Sequence, residues 1–333
     1  MIEIIALTEK EQWNSIVRSM TEYDFYYLAE YHELDTAGIP LLIYFNHKET
    51  RIALPVILRD IEGSPMKDLT SVYGYAGPLS YPAIPDAESL QLFHEELSDL
   101  FDSMQAVSLF SRLHPLFTEQ NNLLQQLGDV KNENLTVAID LGQTVAEQRK
   151  HYSRSLRTQL NRLKRKGFYV KQATTPEEVK EYVTIYHETM DRVNASPYYY
   201  FTEDYFNRFL GTIDSALFLG YHGDQITSGS LCTFANVILQ VHLNATRNDF
   251  LPYSPLKQVI DEARKYGVKH GMRWLHLGGG HDGDHNSLFQ FKSRFSDTYC
   301  RFKTWRYVHN REEYTRLSEG KDQRSTYFPL YRS

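Results

Sequence analysis

The stretch LHLGGGHDGDHNSLFQFKSRF, residues 275–295, joins an apolar run, three consecutive glycines, a polar segment and a second apolar segment. The apolar run predicts a buried strand, and the glycines let the backbone leave that strand without side-chain bulk. Leu288, Phe291 and Phe295 recur at helical spacing, which predicts a short helix that turns back over the strand. Lys292, four residues after Leu288, is expected at the edge of that apolar face, where its amine can reach inward or extend to solvent.

Three other interpretations of this stretch are weaker. Its glycines spell the G-x-G-x-x-G of a dinucleotide-binding loop, but the next helix is short and Lys303 stands near the place of the ribose-binding acid. A calcium loop would need a glycine and a glutamate at positions that hold serine. A five-residue His/Asp cluster forms only part of a metal site, so we expect no resident metal. The glycines are Gly278, Gly280 and Gly283, and the cluster is His281, Asp282, Asp284 and His285.

Composition limits the class of protein. The chain has 333 residues, 41% of them hydrophobic, and is long enough to bury the cores of two domains. Its net charge of −6 argues against wholesale nucleic-acid binding, and its two cysteines are too few for a disulfide framework. The N-terminal residues lack the pattern of a signal peptide, and no run of about 18 apolar residues occurs. We therefore expect a cytoplasmic protein without a membrane span.

The order of predicted elements is the same in both halves of the chain. Each half reads as helices, a three-stranded meander, and then helix, strand, helix, strand. Some boundaries are sharp, since Thr175, Pro176 and Glu178 form a capping box with proline in the first helical turn. The sequence predicts a mixed α/β protein of two tandem units, residues 1–140 and 168–333, that superpose over about 1–140 and 165–315.

A basic helix is predicted between the two units, within residues 141–167. Its segment RKHYSRSLRTQLNRLKRKG, residues 149–167, has eight Lys and Arg residues and no acidic residue. Apolar residues recur along one side, which indicates an amphipathic helix. The segment is either a solvated linker or a contact for a phosphate-rich partner through Arg154 and Arg157. A nucleotide sugar, a tRNA or an anionic lipid surface would provide that chemistry.

The sequence resembles the FemABX-like branch of the GNAT acyltransferase superfamily, which comprises peptidoglycan-bridge aminoacyltransferases and related bacterial acyltransferases. The order of elements resembles two GNAT units, and LxLGGG followed by SLFQFKSRFS resembles the end of the family's second unit. Other similar stretches are DFYYLAEYHEL (24–34), YGYAGPLSY (73–81), SRLHPLF (111–117), HYSRSLRTQLNRLKRKGFYV (151–170) and YYYFTEDYFNRFL (198–210). The tRNA-dependent bridge enzymes carry a long coiled-coil arm, and this chain has no room for one. This difference favours acyl-CoA or another carrier over tRNA as the donor.

The resemblance implies acyl transfer in a cleft where two central strands separate. His242 and Asn244 lie two residues apart on one face of the predicted strand VILQVHLNAT, where Asn244 can orient the donor or donate to an oxyanion. The alternative for His242 is a satisfied histidine of the sheet. The loop RNDFLPYSP, residues 247–255, lacks the glycines of the usual pyrophosphate loop, so a donor phosphate would depend on Ser254 or Lys257.

Further binding residues are implied around these strands. Phe291 and Lys292 resemble the family's Phe-Lys pair near the donor site, reached through Gly278, Gly279 and Gly280. Tyrosines can line an acceptor pocket or simply pack in the core; the candidates are Tyr199, Tyr200 and Tyr205, together with Tyr75 in a binding loop or hairpin.

The predicted function is transfer of an acyl or aminoacyl group to an amino group of a cell-envelope precursor or amino sugar. One alternative is an acyl-CoA-dependent N-acetyltransferase that acts on a small molecule. Another is a binding protein that kept the GNAT fold and lost catalysis. Lys292, Asn244 and His242 are the candidate catalytic residues, and acyl-CoA or aminoacyl-tRNA is the candidate donor substrate, with no separate cofactor.

Overall fold

The computed structural model describes residues 1–35, 37–280 and 286–333. The strands there are β1 (Ile2–Ala6), β2 (Ile39–His47), β3 (Thr50–Asp60), β4 (Lys67–Thr70), β5 (Leu79–Tyr81), β6 (Ala106–Leu113), β7 (Asp129–Asp140), β8 (Phe168–Gln172), β9 (Ser215–His222), β10 (Gln225–Ala235), β11 (Ile238–Thr246), β12 (Trp274–Gly279) and β13 (Thr298–Val308). The α-helices are α1 (Lys10–Arg18), α2 (Ala29–His32), α3 (Ala87–Ser103), α4 (Gln120–Leu123), α5 (Val145–His151), α6 (Arg154–Arg165), α7 (Pro176–Arg192), α8 (Glu203–Thr212), α9 (Leu256–Lys269), α10 (Ser287–Lys292) and α11 (Arg311–Leu317).

The first unit contains Met1–Glu133 and Arg301–Ser333. Its strands follow the order β1-β2-β3-β4-β6-β13, and β5 pairs with β3. Neighbours are antiparallel except β4 and β6, which are parallel because α3 returns the chain across the sheet. Asp86 caps α3 by accepting a hydrogen bond from the Ser89 amide, and α3 then buries an apolar face that includes Phe93, Leu97 and Phe101.

The second unit contains Asn134–Cys300. Its strands follow the order β7-β12-β11-β10-β9-β8. Strands β8 to β11 are antiparallel, β11 and β12 are parallel, and β12 and β7 are antiparallel. The crossover helix α9 buries Val259, Ile260 and Ala263 against these strands. The predicted capping box of α7 is confirmed, since Thr175 and Glu178 exchange side-chain and backbone hydrogen bonds.

The two units therefore have the same strand order: four antiparallel strands, a parallel neighbour and a closing antiparallel strand. The predicted mixed α/β class and the two tandem units with the same strand order are confirmed. The closing strands are exchanged relative to chain order. Strand β7 pairs with β12 of the second unit, and β13 pairs with β6 of the first. Residues 301–333 thus belong to the first unit, which differs from the predicted boundaries at 140 and 168.

The basic segment also differs from the predicted single linker helix. Tyr152 has an extended backbone, with ψ of 133°, and ends α5, after which Ser153 caps α6. The Tyr152 hydroxyl donates to the buried Asp261 carboxylate at 2.9 Å, which fixes the break between the helices. The apolar stripe of α6, including Leu156 and Leu160, packs into the core of the second unit. The segment is therefore a packed part of that unit.

Candidate functional site

The site lies in the second unit, where β11 and β12 stop pairing. Their parallel register runs from Ile238↔Trp274 to Gln240↔His276 and ends there. Beyond this point β11 stays paired with β10, while β12 stays paired with β7 through a register shift between His276 and Gly278. His276 closes the base of the gap, with Nδ1 2.6 Å from the Gln240 side-chain oxygen and Nε2 2.9 Å from the Thr136 hydroxyl.

Lys292 ends α10 beside this gap. Its side chain is only 8% exposed, and Nζ donates to the Gly279 carbonyl oxygen at 2.7 Å. Burial lowers the pKa of Lys292 to about 7. Among the residues that the structure describes, no carboxylate lies within 4.0 Å of Nζ to balance the charge of the protonated amine. The amine therefore reaches inward, which is one of the two orientations expected from the sequence.

The glycines at the end of β12 make room for Lys292 and for the cap of α10. Gly278 has φ of +72°, and a Cβ atom there would stand 3.2 Å from the Lys292 Nζ. A Cβ atom at Gly279 would stand 2.8 Å from the Leu135 carbonyl oxygen, and one at Gly280 would overlap the Asn286 side chain. Asn286 in turn accepts a hydrogen bond from the Phe289 amide and begins α10.

A second cationic cluster joins α6, α9 and the residues after α10. Lys257, in the first turn of α9, is only 6% exposed, and its Nζ donates to the Gln159 side-chain oxygen and lies 5.9 Å from the centre of the Phe291 ring. Arg294 donates to the Ser155 hydroxyl at 3.2 Å. Burial, and then the charge of Arg294, lower the pKa of Lys257. Within the described ranges neither cation forms an ion pair with a carboxylate, so the cluster suits an anion.

Sequence reasoning missed Gln159 and Arg294 as members of this cluster. Gln159 belongs to a segment more than 90 residues before Lys257, and its position depends on the packing of α6 beside α9. Arg294 follows Lys292 by two residues, so its proximity to the Phe-Lys pair was the one available signal.

His242 and Asn244 lie on β11 beyond the point where it leaves β12, both half-buried. The His242 ring stacks on Phe209 of α8 with the ring centres 5.2 Å apart, and burial lowers the pKa of His242 to about 3. This histidine is therefore neutral at physiological pH. The side-chain oxygen of Asn244 is buried and has no hydrogen-bond donor within 3.5 Å among the described residues.

The predicted tyrosines take different positions along α7 and α8. Tyr205 stacks on Phe201 at 4.2 Å and lies 5.8 Å from Phe209, so an aromatic row leads along α8 toward His242. The backbone oxygen of Tyr199 accepts a hydrogen bond from the Tyr186 hydroxyl. The Tyr200 hydroxyl donates to Asp191, and this bond, with burial, raises the pKa of Tyr200.

Tyr75 belongs to the first unit. It follows Gly74, which has φ of +121°, and its ring centre lies 5.7 to 5.8 Å from those of Tyr26, His114 and Phe302. Burial raises the pKa of Tyr75, so the phenol stays protonated. Tyr75 is half-buried, and its ring packs against other aromatic rings of the first unit. The binding-loop and hairpin alternatives for YGYAGPLSY both stay predictions.

The remaining predicted contacts lie on α6 and before α9. Arg154 is exposed, whereas Arg157 donates to the backbone oxygens of Arg149 and Lys150 at 3.1 and 3.3 Å. Ser254 has φ of +49° in the turn before α9 and is not its N-cap. The polar cluster at 281–285, with Gly283 of the G-x-G-x-x-G pattern, lies outside the described residues. Elsewhere in the described chain no group of three or more His, Cys, Asp or Glu residues could hold a metal ion.

Comparison with known proteins agrees with this geometry. Residues 150–293 match the family model described as an acetyltransferase (GNAT) domain. The separating parallel strands, the crossover helix α9 and this match decide the fold. The chain has the GNAT fold. A crystal structure of FemX covers 94% of the chain and 99% of its own length, with 15% identity and a TM-score of 0.71. The resemblance predicted from the sequence is confirmed.

Two further solved structures share this GNAT fold. The C-terminal domain of a putative lysylphosphatidylglycerol synthetase from Agrobacterium fabrum covers 92% of the chain and 94% of its own length, at 13% identity and a TM-score of 0.58. A tandem GNAT protein from the clavulanic acid biosynthesis pathway covers 92% and 98%, at 10% identity and a TM-score of 0.50. No curated protein is significantly similar in sequence. Together the domain match and these neighbours support the GNAT fold, and the domain match is to an acetyltransferase family.

Three features of the second unit are relevant to chemistry at this gap. Asn244 presents a hydrogen-bond acceptor, Lys292 a buried amine, and the Lys257 cluster a region of positive charge. This set can hold an attacking amine, a developing oxyanion and a donor phosphate, respectively. No helix within the described residues is both long and apolar enough to cross a bilayer.

Proposed function

We propose that the chain transfers an acyl or aminoacyl group from a phosphate-bearing donor to an amino group of a cell-envelope precursor or amino sugar. The proposal rests mainly on the buried amine of Lys292. This amine donates a hydrogen bond to the carbonyl oxygen of Gly279, the last residue of β12, where that strand separates from β11. A buried cation without a carboxylate partner among the described residues is costly unless a ligand or a transition state supplies negative charge.

Asn244, Lys292 and His242 each have a role in the proposed reaction. The lone pair of the acceptor amine attacks the carbonyl carbon of the donor, and a C–N bond forms as the carbonyl oxygen becomes an oxyanion. Asn244 accepts a hydrogen bond from the attacking amine and orients its lone pair. Protonated Lys292 stabilises the oxyanion. Collapse of the intermediate breaks the C–S or C–O bond to the donor, and the leaving group takes the proton that the amine loses. Neutral His242 stacks on Phe209 and forms part of the wall on the side where the acceptor binds.

The donor is expected beside Lys257 and Arg294. Both candidate donors carry phosphate: acyl-CoA at the far end of the pantetheine arm from its thioester, and aminoacyl-tRNA on the terminal nucleotide that bears the ester. A phosphate between these two cations would relieve their repulsion. This cluster supplies positive charge that the loop 247–255 cannot supply through glycine amides. Arg154, at the start of α6 one residue before Ser155, can extend the same contact.

Two alternatives have specific support. The tandem GNAT neighbour, whose structure is described as being without AcCoA, favours an acyl-CoA-dependent N-acetyltransferase with a small acceptor. The missing glycines of residues 247–255 favour a binding protein that kept the fold and lost catalysis.

Native mass spectrometry of the purified chain tests the donor first. A retained CoA species supports acyl-CoA, and a retained tRNA supports the aminoacyl donor. Transfer assays with that donor and an amine acceptor then compare the wild type with Lys292→Ala, Lys292→Arg and, as the control, Lys180→Ala on the exposed face of α7.

We expect Lys292→Ala to lower kcat by about 10²-fold or more, the effect of losing one electrostatic stabiliser. Lys292→Arg should restore part of that loss if charge alone matters, and Lys180→Ala should retain full turnover. Full turnover by Lys292→Ala at saturating donor and acceptor would remove Lys292 from the mechanism. Absence of transfer by the wild type, with the donor bound, would favour the binding protein.

A further inference from the structure

The exposed cations of α5 and α6 form one surface of the second unit, which we call the basic face. The chain carries a net charge of −6 although residues 149–166 contribute eight positive charges and no acidic residue. Arg149 and Arg157 are partly covered, and the other six cations are exposed. The basic face is Lys150, Arg154, Arg162, Lys164, Arg165 and Lys166.

These charges are not balanced within the described part of the chain. None of the basic-face cations has a carboxylate within 4.0 Å there, whereas Lys171, Arg247 and Lys265 of the same unit all form ion pairs. Arg162 lies three and four residues before Arg165 and Lys166, a spacing at which like charges on a helix repel. The opposite side of α6 is already buried, so the basic face is not needed to attach the helix to its unit.

Apolar side chains stand beside one end of this surface. The Lys166 amine lies 4.9 Å from the centre of the Tyr253 ring, and Gln159 of α6 donates to the Tyr253 backbone oxygen. Tyr253 ends a short 3-10 helix in which Leu251 is 40% exposed and Pro252 is also exposed. A row of cations is thus bordered by an aromatic ring and an aliphatic side chain in solvent.

We propose that the basic face is a docking surface for an anionic lipid bilayer. Cations on one side of a helix lie level with lipid phosphates, and each contributes attraction to an anionic leaflet. Leu251 and Tyr253 can enter the boundary between headgroups and acyl chains, as apolar and aromatic residues do in interfacial segments. RNA would also attract the cations, but an aliphatic leucine neither stacks on bases nor pairs with phosphate, so the border favours a bilayer.

This inference goes beyond the proposed transfer. A bilayer would hold the second unit beside amphiphilic molecules, which suits an acceptor anchored in a membrane. Binding to vesicles needs neither donor nor acceptor, so its failure would leave the transfer proposal standing, and a failed transfer assay would leave the docking proposal standing.

Vesicle co-sedimentation of the full chain tests the charges. The lipids are phosphatidylcholine alone, or equal parts of phosphatidylcholine and phosphatidylglycerol. The test variant is Arg162→Gln/Lys164→Gln/Arg165→Gln. The control removes the same charge from exposed lysines elsewhere, as Lys131→Gln/Lys180→Gln/Lys269→Gln.

We expect the wild type to bind only the anionic vesicles, with affinity that falls as salt rises. Each cation removed from the basic face should weaken partitioning about fivefold, so the test variant should bind roughly 100-fold more weakly, while the control stays close to the wild type. Equal binding to both lipids, no binding to either, or equal losses in the two triple variants would overturn the proposal. Circular dichroism melting confirms that both variants fold.

A second variant separates lipid from RNA. Leu251→Ser removes the aliphatic border and keeps every charge. It should weaken binding to the anionic vesicles several-fold and leave any binding to unfractionated tRNA unchanged. Unchanged vesicle binding by Leu251→Ser, combined with displacement of the wild type from vesicles by tRNA, would assign the basic face to RNA and overturn the lipid proposal.

Discussion

Replacing Lys292 by methionine should change how the stability of the protein depends on pH. Methionine has a similar length and no charge, so Lys292→Met keeps the packing of α10 and removes the titrating amine. Burial depresses the pKa of Lys292 from its ordinary value of 10.5 to about 7. Between these two pKa values the folded state binds fewer protons than the unfolded state. The free energy of unfolding of the wild type therefore rises with pH through this window and is lost again as pH falls toward 7.

The size of the effect follows from the two pKa values. The fall in the pKa of Lys292 from 10.5 to about 7 corresponds to a total change of roughly 4.8 kcal/mol in the free energy of unfolding, at about 1.36 kcal/mol per pH unit. This total is the difference between the fully protonated and the fully deprotonated amine. Over the practical window from about pH 6 to about pH 9, the gain from this one amine is about 2.7 kcal/mol. The wild type should gain that amount relative to Lys292→Met, because all other titrating groups are common to both proteins.

Urea unfolding at several pH values between these limits measures the difference. The control is Lys180→Met, which removes an exposed lysine of α7 and should follow the wild type in its pH dependence. Stability curves of the wild type and Lys292→Met that run parallel across the window would refute the conclusion that burial depresses the pKa of this amine.

Two further outcomes are expected from the same structure. Gly278→Ala and Gly271→Ala both place a side chain at φ of +72°, so each variant should lose about 1–2 kcal/mol of stability. Only the Cβ atom at position 278 would contact Lys292. Transfer activity should therefore fall in Gly278→Ala and persist in Gly271→Ala. Asp68→Asn should lower the free energy of unfolding by about 3 kcal/mol, because the buried Asp68 accepts hydrogen bonds from Arg59, Arg332 and Tyr331. Asp60→Asn, which removes an exposed ion pair, should cost far less. Equal losses of the two variants in denaturant unfolding would contradict this prediction.

Local patterns in the sequence predicted local structure well. The capping box at Thr175 predicted the start of α7, which the structure confirms. The position of Lys292 also followed from a local rule, because three glycines and an apolar helix of fixed spacing leave few places for its side chain.

Features that depend on distant partners were not predictable in this way. The break at Tyr152 is fixed by Asp261, more than 100 residues later, so the periodic segment around it reads as one helix. The strand β1 is short, and its pattern IEIIA does not name β2 as its partner. The exchange of β7 and β13 has the same origin, since hydrophobic alternation marks a strand without specifying which edge it joins.

The exchanged strands also set an order of completion during synthesis. All of the second unit lies within one continuous segment, 134–300, so it can close before residues 301–333 have left the ribosome. The first unit begins at residue 1 but must wait for Val308, because β6 has an open edge until β13 arrives. An unpaired edge is a template for the strands of other chains. The N-terminal part of the protein is therefore the last to mature, and a premature stop after residue 300 would damage the unit that was translated first.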